Sequence, residues 1–232
     1  NLGVQAATGQ YIAFLDDDDQ FYDNKLECVN KLIRDVADVD LIYHPAEVHM
    51  VNQNVTYVSK PKIFSNSDNL VDELLLSNYI GGTSMVVLRK TALIDIGYFD
   101  VSMPALQDYE LWLRFAMNKC KFIMLDMPLT RYYVVTKKKA ISTNVDASYE
   151  AVRLITEKYA SYYAKLPSSK LKQREIRLLS TYIYKRLLCG EKAKALGLQL
   201  YLISKRPTFK NIAFFIVASI SVNLLFKLRA LL

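Results

Sequence analysis

The sequence predicts an α/β fold followed by a helical extension, and three observations carry that prediction. The first is the run Tyr11-Ile12-Ala13-Phe14-Leu15, apolar and rich in strand formers, which ends in the carboxylates Asp16–Asp19. A run of this kind is expected as a buried parallel strand, and open α/β sheets place their ligands at the carboxyl ends of such strands. The second is the alternation of strand-like and helix-like segments from there to about residue 135. The third is a change at Asp146, after which the pattern is helical and the charge basic.

At 232 residues the chain is long enough to bury a substantial core as one domain with an appendage. It carries no repeat at solenoid periods and no low-complexity tract. Cys28, Cys120 and Cys189 are far apart and odd in number, which argues against a disulfide framework and for a reducing compartment. The chain opens on Asn1 with neither a Met nor a secretory signal, and is expected to be a fragment that begins inside a motif. Charge is divided. Residues 151–232 hold 16 Lys/Arg against 3 Asp/Glu, a net +13, whereas residues 1–150 hold 14 against 20, a net −6. An acidic front and a basic tail suit a cation-dependent site joined to a surface for anionic partners. There is no nucleic-acid-binding motif and no useful interleaving of basic and aromatic residues, so a membrane surface, not nucleic acid, is the expected partner.

Each element follows from local pattern. Residues 1–10, with Gly3 and Gly9, are expected as a loop or short helix entering the strand. Asp23 is placed to N-cap a helix over 24–37, in which Leu26, Val29, Leu32, Ile33 and Val36 recur as a core stripe. Residues 40–50 and 55–64 are β-like and joined through Asn52-Gln53-Asn54. His44 and His49 stand five apart in this segment, on opposite faces of a strand, and are expected in structural roles. Ser67 or Asp68 caps a helix through Leu76. Gly81-Gly82-Thr83 opens a strand over 84–88, and paired glycines serve either a turn or close approach of backbone to a ligand. Thr91–Ile96 is a short helix stopped by Gly97. A loop to Pro104 then leads to a helix beginning Gln107-Asp108-Tyr109-Glu110-Leu111-Trp112-Leu113-Arg114. Asp108 and Glu110 lie in its first turn, where the helix dipole favours a carboxylate whether or not it has another role. Strands are expected at 121–125 and 130–135.

In the tail, residues 147–165 and 170–188 are expected as basic-faced helices, punctuated by Gly190 and Gly197. Lys205-Arg206-Pro207 starts a last helix whose residues 211–226 carry no charge. That stretch is shorter than the about 20 residues a bilayer requires. With Lys210, Lys227 and Arg229 flanking it and Asn211, Ser219 and Asn223 to one side, it reads as a helix lying in a membrane interface. A helix packed on a partner, a buried terminal helix of the domain and a marginally spanning helix are the other readings.

The acidic run has chemical consequences. Adjacent carboxylates repel one another, and a hard divalent cation such as Mg²⁺ or Mn²⁺ relieves that repulsion while bridging a substrate's phosphates. A solvated acidic loop capping the next helix fits the same residues.

Several blocks, in order, resemble the inverting glycosyltransferases of family 2. They are Asn1-x-Gly3 with Ala6, Ala7 and Gly9; Phe14-Leu15-Asp16-Asp17-Asp18-Asp19; Lys25-Leu26-Glu27; Gly97-x-Phe99-Asp100; and Gln107-Asp108-x-Glu110-Leu111-Trp112-Leu113-Arg114. The resemblance covers about residues 1–135. It implies a GT-A fold, a Rossmann-like mixed sheet, here N-terminally truncated at 1–145. A basic helical region at 146–232 would follow, with a candidate membrane-associating helix at 207–229. The basic tail resembles, more loosely, tails of bacterial members that assemble surface polysaccharides.

By the same resemblance, a nucleotide-sugar donor binds with Mn²⁺ or Mg²⁺ on its diphosphate. Asp18 would hold the metal, Asp16 would contact the donor's ribose or help orient the metal, Asp17 would contact the donor, and Asp108 would deprotonate the hydroxyl of a glycan or lipid-linked acceptor. Gly81, Gly82 and Trp112 would line the acceptor side, although Trp112 also reads as core. The expected protein is cytoplasmic, on the inner face of the membrane. Three departures stand out. The family's opening strands, which hold the nucleotide base, are absent. Gln107 stands where many members have Glu. No His follows around Arg131-Tyr132-Tyr133-Val134-Val135 to complete the metal site. Two other classes compete: a sugar-phosphate nucleotidyltransferase, which needs a basic Gly-rich phosphate loop, and a non-catalytic remnant that binds a membrane or a partner enzyme.

Overall fold

Strand formers in this chain come in runs of two to five residues separated by helical stretches, and the fold follows that spacing. The computed structural model describes residues 1–64, 69–135 and 144–230. The chain divides into two units, residues 1–49 with 58–133, and residues 50–57 with the described part of 134–232.

The first unit opens with α1 (Leu2–Ala6) and β1 (Tyr11–Ala13), then β2 (Gln20–Phe21), α2 (Lys25–Asp35), β3 (Leu41–Tyr43) and β4 (Ala46–Met50). Its later elements are α3 (Leu70–Leu76), β6 (Val86–Arg89), α4 (Lys90–Ile96), α5 (Gln107–Met117), β7 (Phe122–Met124) and β8 (Thr130–Val134), and β5 (Val55–Val58), between β4 and α3 in sequence, falls mostly in the second unit. One sheet has the order β1–β6–β3–β7. It is mixed: β6 runs antiparallel to both β1 and β3, with Ile12 opposite Leu88 and Leu41 opposite Leu88, whereas β3 and β7 are parallel. Val29 and Ile33 of α2 pack with Val39, Ile42 and Val87 as the core beneath this sheet. In the second sheet β2 pairs antiparallel with β8, and β8 lies next to β4.

Several expectations are corrected. The run 11–15 is not a parallel strand. Regular pairing ends at Ala13, its neighbour β6 is antiparallel, and Leu15 is 49% exposed. Hydrophobicity reports that a strand is buried; the direction of its neighbour is set by connections far away in sequence. The cap of α2 is Asn24 rather than Asp23, with no side-chain capping bond, and Leu26 is exposed rather than part of the core stripe. Residues 59–64 form no strand, and Gly81-Gly82 leads first into a 3-10 turn, Thr83–Met85. The expected caps Ser67 and Asp68 lie outside the described residues. Gly97 does stop α4: its φ of +100° suits glycine, and its N–H closes the helix on Leu93 and Ile94.

The second unit contains α6 (Val145–Lys158), α7 (Ala160–Tyr163), α8 (Ser168–Leu188), α9 (Lys192–Lys205), α10 (Phe209–Ile220) and α11 (Val222–Ala230). Gly197 does not punctuate; α9 runs through it. The expected final helix is two helices. Ser221 adopts an extended conformation, and its hydroxyl accepts from the Leu224 N–H, so a side-chain cap starts α11 where a continuous helix was expected. No helix among the described residues is long and apolar enough to cross a membrane.

Candidate active site

The acidic run leaves the end of β1 as a tight turn, with the Asp19 N–H donating to the Asp16 carbonyl at 3.1 Å. The turn is fastened to the segment before β6. Asp16 donates its N–H to Ser84 Oγ at 3.1 Å, and Thr83 Oγ1 donates to Asp16 Oδ1 at 3.2 Å. Asp16, Asp17 and Asp18 are exposed, and Asp19 is buried. Asp19 Oδ1 accepts from the Tyr133 N–H, and its Oδ2 has no hydrogen-bond partner. Burial, reinforced by Asp18 and Asp17, raises the Asp16 pKa against the bond from Thr83. Burial likewise raises that of Asp19, against hydrogen bonds from the Ser84 hydroxyl and the Tyr133 N–H, with Asp18 and Asp16 adding to the rise.

Beneath the turn lies a residue that sequence reasoning did not single out. Lys25 has no exposed surface, and its ammonium sits 3.6 Å from the centre of the Phe21 ring. It donates to the Ser84 carbonyl at 2.7 Å and to Thr130 Oγ1 at 3.2 Å. Burial pulls its pKa down to about 7, and the charge of Asp19 opposes the fall. Part of the compensation that four carboxylates need is thus an ammonium built into the first turn of α2. The signal in the sequence was a lysine where a helix packed on a sheet should place an apolar residue.

The residues expected on the acceptor side, Gly81, Gly82 and Trp112, lie close together. Gly81 has a φ of +107°, and a Cβ there would lie 3.2 Å from Met85 Cε. Its turn is held by Asn78, whose Oδ1 accepts from the N–H groups of Ile80 and Gly81, and by Trp112, whose Nε1–H donates to the Gly81 carbonyl at 3.0 Å. Trp112 is fully buried, so it does not line a ligand site as expected; what it does is hold the Gly81 carbonyl. Asp108 stands in the first turn of α5, and a Cβ at Gly82 would lie 3.8 Å from its Oδ2. Glycine at 82 therefore leaves the space before the Asp108 carboxylate open.

Two further residues bind the blocks together. Arg114, one turn past Glu110, forms a buried pair with it at 2.8 Å and donates to the carbonyls of Ile96 and Tyr98. This ties the Gly97–Asp100 loop to the helix that carries Asp108. Phe99 of the loop packs edge-on against Phe14, with ring centres 5.5 Å apart, and exchanges hydrogen bonds with Asn1. Tyr132 is mostly buried, and after burial itself the carboxylates of Asp19, Asp108, Asp16 and Asp18 raise its pKa. The charges of the acidic turn and of Asp108 thus act on one side chain. Its position in the segment where a histidine was sought is the one sequence signal that could have marked it.

Among the described residues, no three Asp, Glu, His or Cys side chains form a closed metal cluster. Exposed carboxylates under mutual repulsion, beside the unpartnered Asp19 Oδ2, still fit a hard cation that completes its shell with phosphate and water. His44 and His49 lie elsewhere. His44 is buried between β3 and β4, and His49 pairs with Glu47 and stacks on Tyr133.

The sequence model described as "Glycosyltransferase like family 2" matches residues 1–167. This chain belongs to that glycosyltransferase family. The mixed α/β architecture of a GT-A-type glycosyltransferase agrees with it. Over 161 residues the chain is 32% identical to an uncharacterized glycosyltransferase of Haemophilus influenzae, covering 68% of this chain and 54% of that protein. It is 30% identical over 141 residues to the amylovoran biosynthesis glycosyltransferase AmsB of Erwinia amylovora, covering 59% and 46%. It is 31% identical over 120 residues to the uncharacterized glycosyltransferase YwdF of Bacillus subtilis, covering 51% and 43%. The chain spans about half the length of these three relatives. Asp16–Asp19, Lys25, Gly81, Gly82, Asp108, Trp112 and Tyr132 all fall within the glycosyltransferase match.

Proposed function

We propose that this chain carries the cation-binding and base half of an inverting glycosyl transfer, from a nucleotide-sugar donor to a hydroxyl of a glycan or lipid-linked acceptor. The observation that carries this reading is Asp108 beside the Gly82 turn, with its charge and those of Asp16, Asp18 and Asp19 all acting on the Tyr132 side chain. Asp18 would hold Mn²⁺ or Mg²⁺, with Asp16 and Asp17 turned to the donor. The bound cation supplies positive charge that stabilises the departing diphosphate. Asp108 takes the proton of the acceptor hydroxyl. That oxygen forms its bond to the anomeric carbon while the bond to the diphosphate oxygen breaks, leaving its electron pair on the diphosphate. With a single displacement and no protein nucleophile, the configuration inverts. Gly81 and Gly82 leave room for the acceptor, and Lys25 holds the acidic turn from below. Synthesis of a bacterial surface polysaccharide is the setting that the relative named for amylovoran biosynthesis supports.

The reaction is proposed to take place at an anionic membrane surface. Phe209, Ile212, Ile216 and Ile220 recur on one face of α10 and are 88%, 42%, 52% and 73% exposed. Lysines and arginines flank them in a tail of net +13. An exposed apolar stripe bordered by cations is what an interfacial helix presents to anionic lipid.

The decisive test is Asp108→Asn in the full-length protein. Sugar transfer should fall by about 10²-fold or more, while Mn²⁺-dependent donor binding, read by calorimetry, stays. Transfer at the wild-type rate would remove Asp108 as the base.

A further inference from the structure

Around the acidic turn, the side chains that donate hydrogen bonds are spent on the protein itself. Thr83 Oγ1 donates to Asp16, and Thr130 Oγ1 donates to the Ser84 carbonyl at 2.8 Å. The Ser84 hydroxyl accepts from the Asp16 N–H and donates to Asp19. The Lys25 ammonium is sealed below, on Ser84 and Thr130. Tyr132 is the exception. Its hydroxyl makes no hydrogen bond among the described residues, and unlike Asp19 Oδ2 it is not closed off from solvent.

Strand geometry fixes which way Tyr132 faces. Successive residues of β8 alternate between the two faces of their sheet. The Arg131 guanidinium lies 4.4 Å from the centre of the Tyr22 ring, and Tyr133 stacks on His49 at 4.9 Å, so these two share one face. Thr130 and Tyr132 share the other. Thr130 is fully buried against Lys25 and Ser84, beneath the acidic turn. The Tyr133 N–H donates to Asp19 Oδ1 at 3.1 Å, which pins the backbone next to Tyr132 to that turn. Burial, followed by the charges of Asp19, Asp108, Asp16 and Asp18, holds the Tyr132 pKa above its ordinary value, so the phenol keeps its proton.

We infer that Tyr132 contacts the nucleotide-sugar, its O–H donating to an oxygen of the diphosphate. This rests on the transfer reading and adds a residue to it. The chemistry selects the ligand group. Ionised carboxylates accept hydrogen bonds and do not donate them, so Asp16, Asp17 and Asp18 offer a diphosphate no direct contact of their own. A neutral phenol supplies the O–H that such a site lacks. As the bond between the anomeric carbon and the diphosphate oxygen breaks, its electron pair stays on the diphosphate, and a hydrogen bond to that group strengthens. The phenol proton remains on Tyr132, and the proton of the acceptor hydroxyl goes to Asp108.

The test is calorimetry on the full-length protein, with Mn²⁺ and each of UDP, GDP, dTDP and inorganic pyrophosphate. Tyr132→Phe should bind the nucleoside diphosphate that the wild type prefers about tenfold more weakly, the loss of one hydrogen bond to a charged group. Pyrophosphate should weaken by a similar factor. The Tm without ligand should not change, because the hydroxyl has no partner in the free protein. Tyr22→Phe, whose hydroxyl bonds Glu47 on the other face of β8, should bind as the wild type does. Equal affinity in Tyr132→Phe and wild type, or an equal loss in Tyr22→Phe, would overturn the assignment and leave the transfer reading standing. A loss confined to the nucleosides, with pyrophosphate unaffected, would also overturn it. Weaker binding with a lowered Tm would assign the hydroxyl to the fold instead. Wild-type protein that binds none of the four would remove the transfer reading and this assignment together.

Discussion

His44 is a neutral imidazole sealed between β3 and β4, its Nδ1–H donating to the Pro45 carbonyl at 2.7 Å and its Nε2 without a partner. Burial, and next the charge of Lys25, lower its pKa to about 3, against the bond to Pro45. The unfolded chain binds this proton at its ordinary pKa of about 6.5 and the folded chain does not until about 3, so stability falls as pH drops through that window. The loss is on the order of 3 kcal/mol by pH 4. His44→Asn should show a shallower decline of Tm between pH 7 and pH 4; parallel declines would assign the acid sensitivity to other groups. A second residue-scale prediction concerns Gly82. A methyl group there would meet Met85 Cε at 3.5 Å and Asp108 Oδ2 at 3.8 Å, which are ordinary contacts. Gly82→Ala should therefore change stability by no more than about 0.5 kcal/mol yet lower kcat/KM for the acceptor about tenfold by filling the space before Asp108. Unchanged kinetics would take the turn out of the acceptor site. The sequence offered Asp16, Asp18 and Asp108 as candidates because their residue types and spacing matched a known pattern. It did not offer Lys25 or Tyr132, because what makes each of them notable is burial beside carboxylates contributed from distant parts of the chain.

At the scale of elements, local pattern was legible wherever a single residue decides the backbone. Gly97 ends α4 through its positive φ, and α8 (Ser168–Leu188) lies close to the expected 170–188, whereas the expected helix 147–165 is divided at Tyr159. Pattern failed where a polar side chain competed with it: Ser221 divides a stretch whose apolar composition suggested one helix. It also failed for Leu26, which recurs with the stripe of α2 but falls outside the covered face. The stripe of α10 makes its own prediction. Ile216 is half exposed, so Ile216→Glu should leave the helix content seen by circular dichroism unchanged while weakening sedimentation with phosphatidylglycerol vesicles. Equal sedimentation would mean that this face meets something other than lipid.

Across the whole chain, charge is the property that acts at long range. The −6 of residues 1–150 and the +13 of residues 151–232 predict attraction to anionic vesicles that fades with salt, because the Debye length shrinks from about 10 Å at 0.1 M to about 3 Å at 1 M. Vesicle association should therefore fall steeply between these concentrations; a salt-insensitive association would rest on the apolar stripe alone. By itself the sequence determined the α/β class, the helical tail, the charge division and the family, since each is written in composition, periodicity or the order of short motifs. Only the tertiary structure decided that β1 pairs antiparallel with β6, that buried Trp112 bonds the Gly81 carbonyl, and that Lys25 underlies the acidic turn. Strand direction, burial and the field at a carboxylate depend on which distant segments pack together, and no local pattern carries that information.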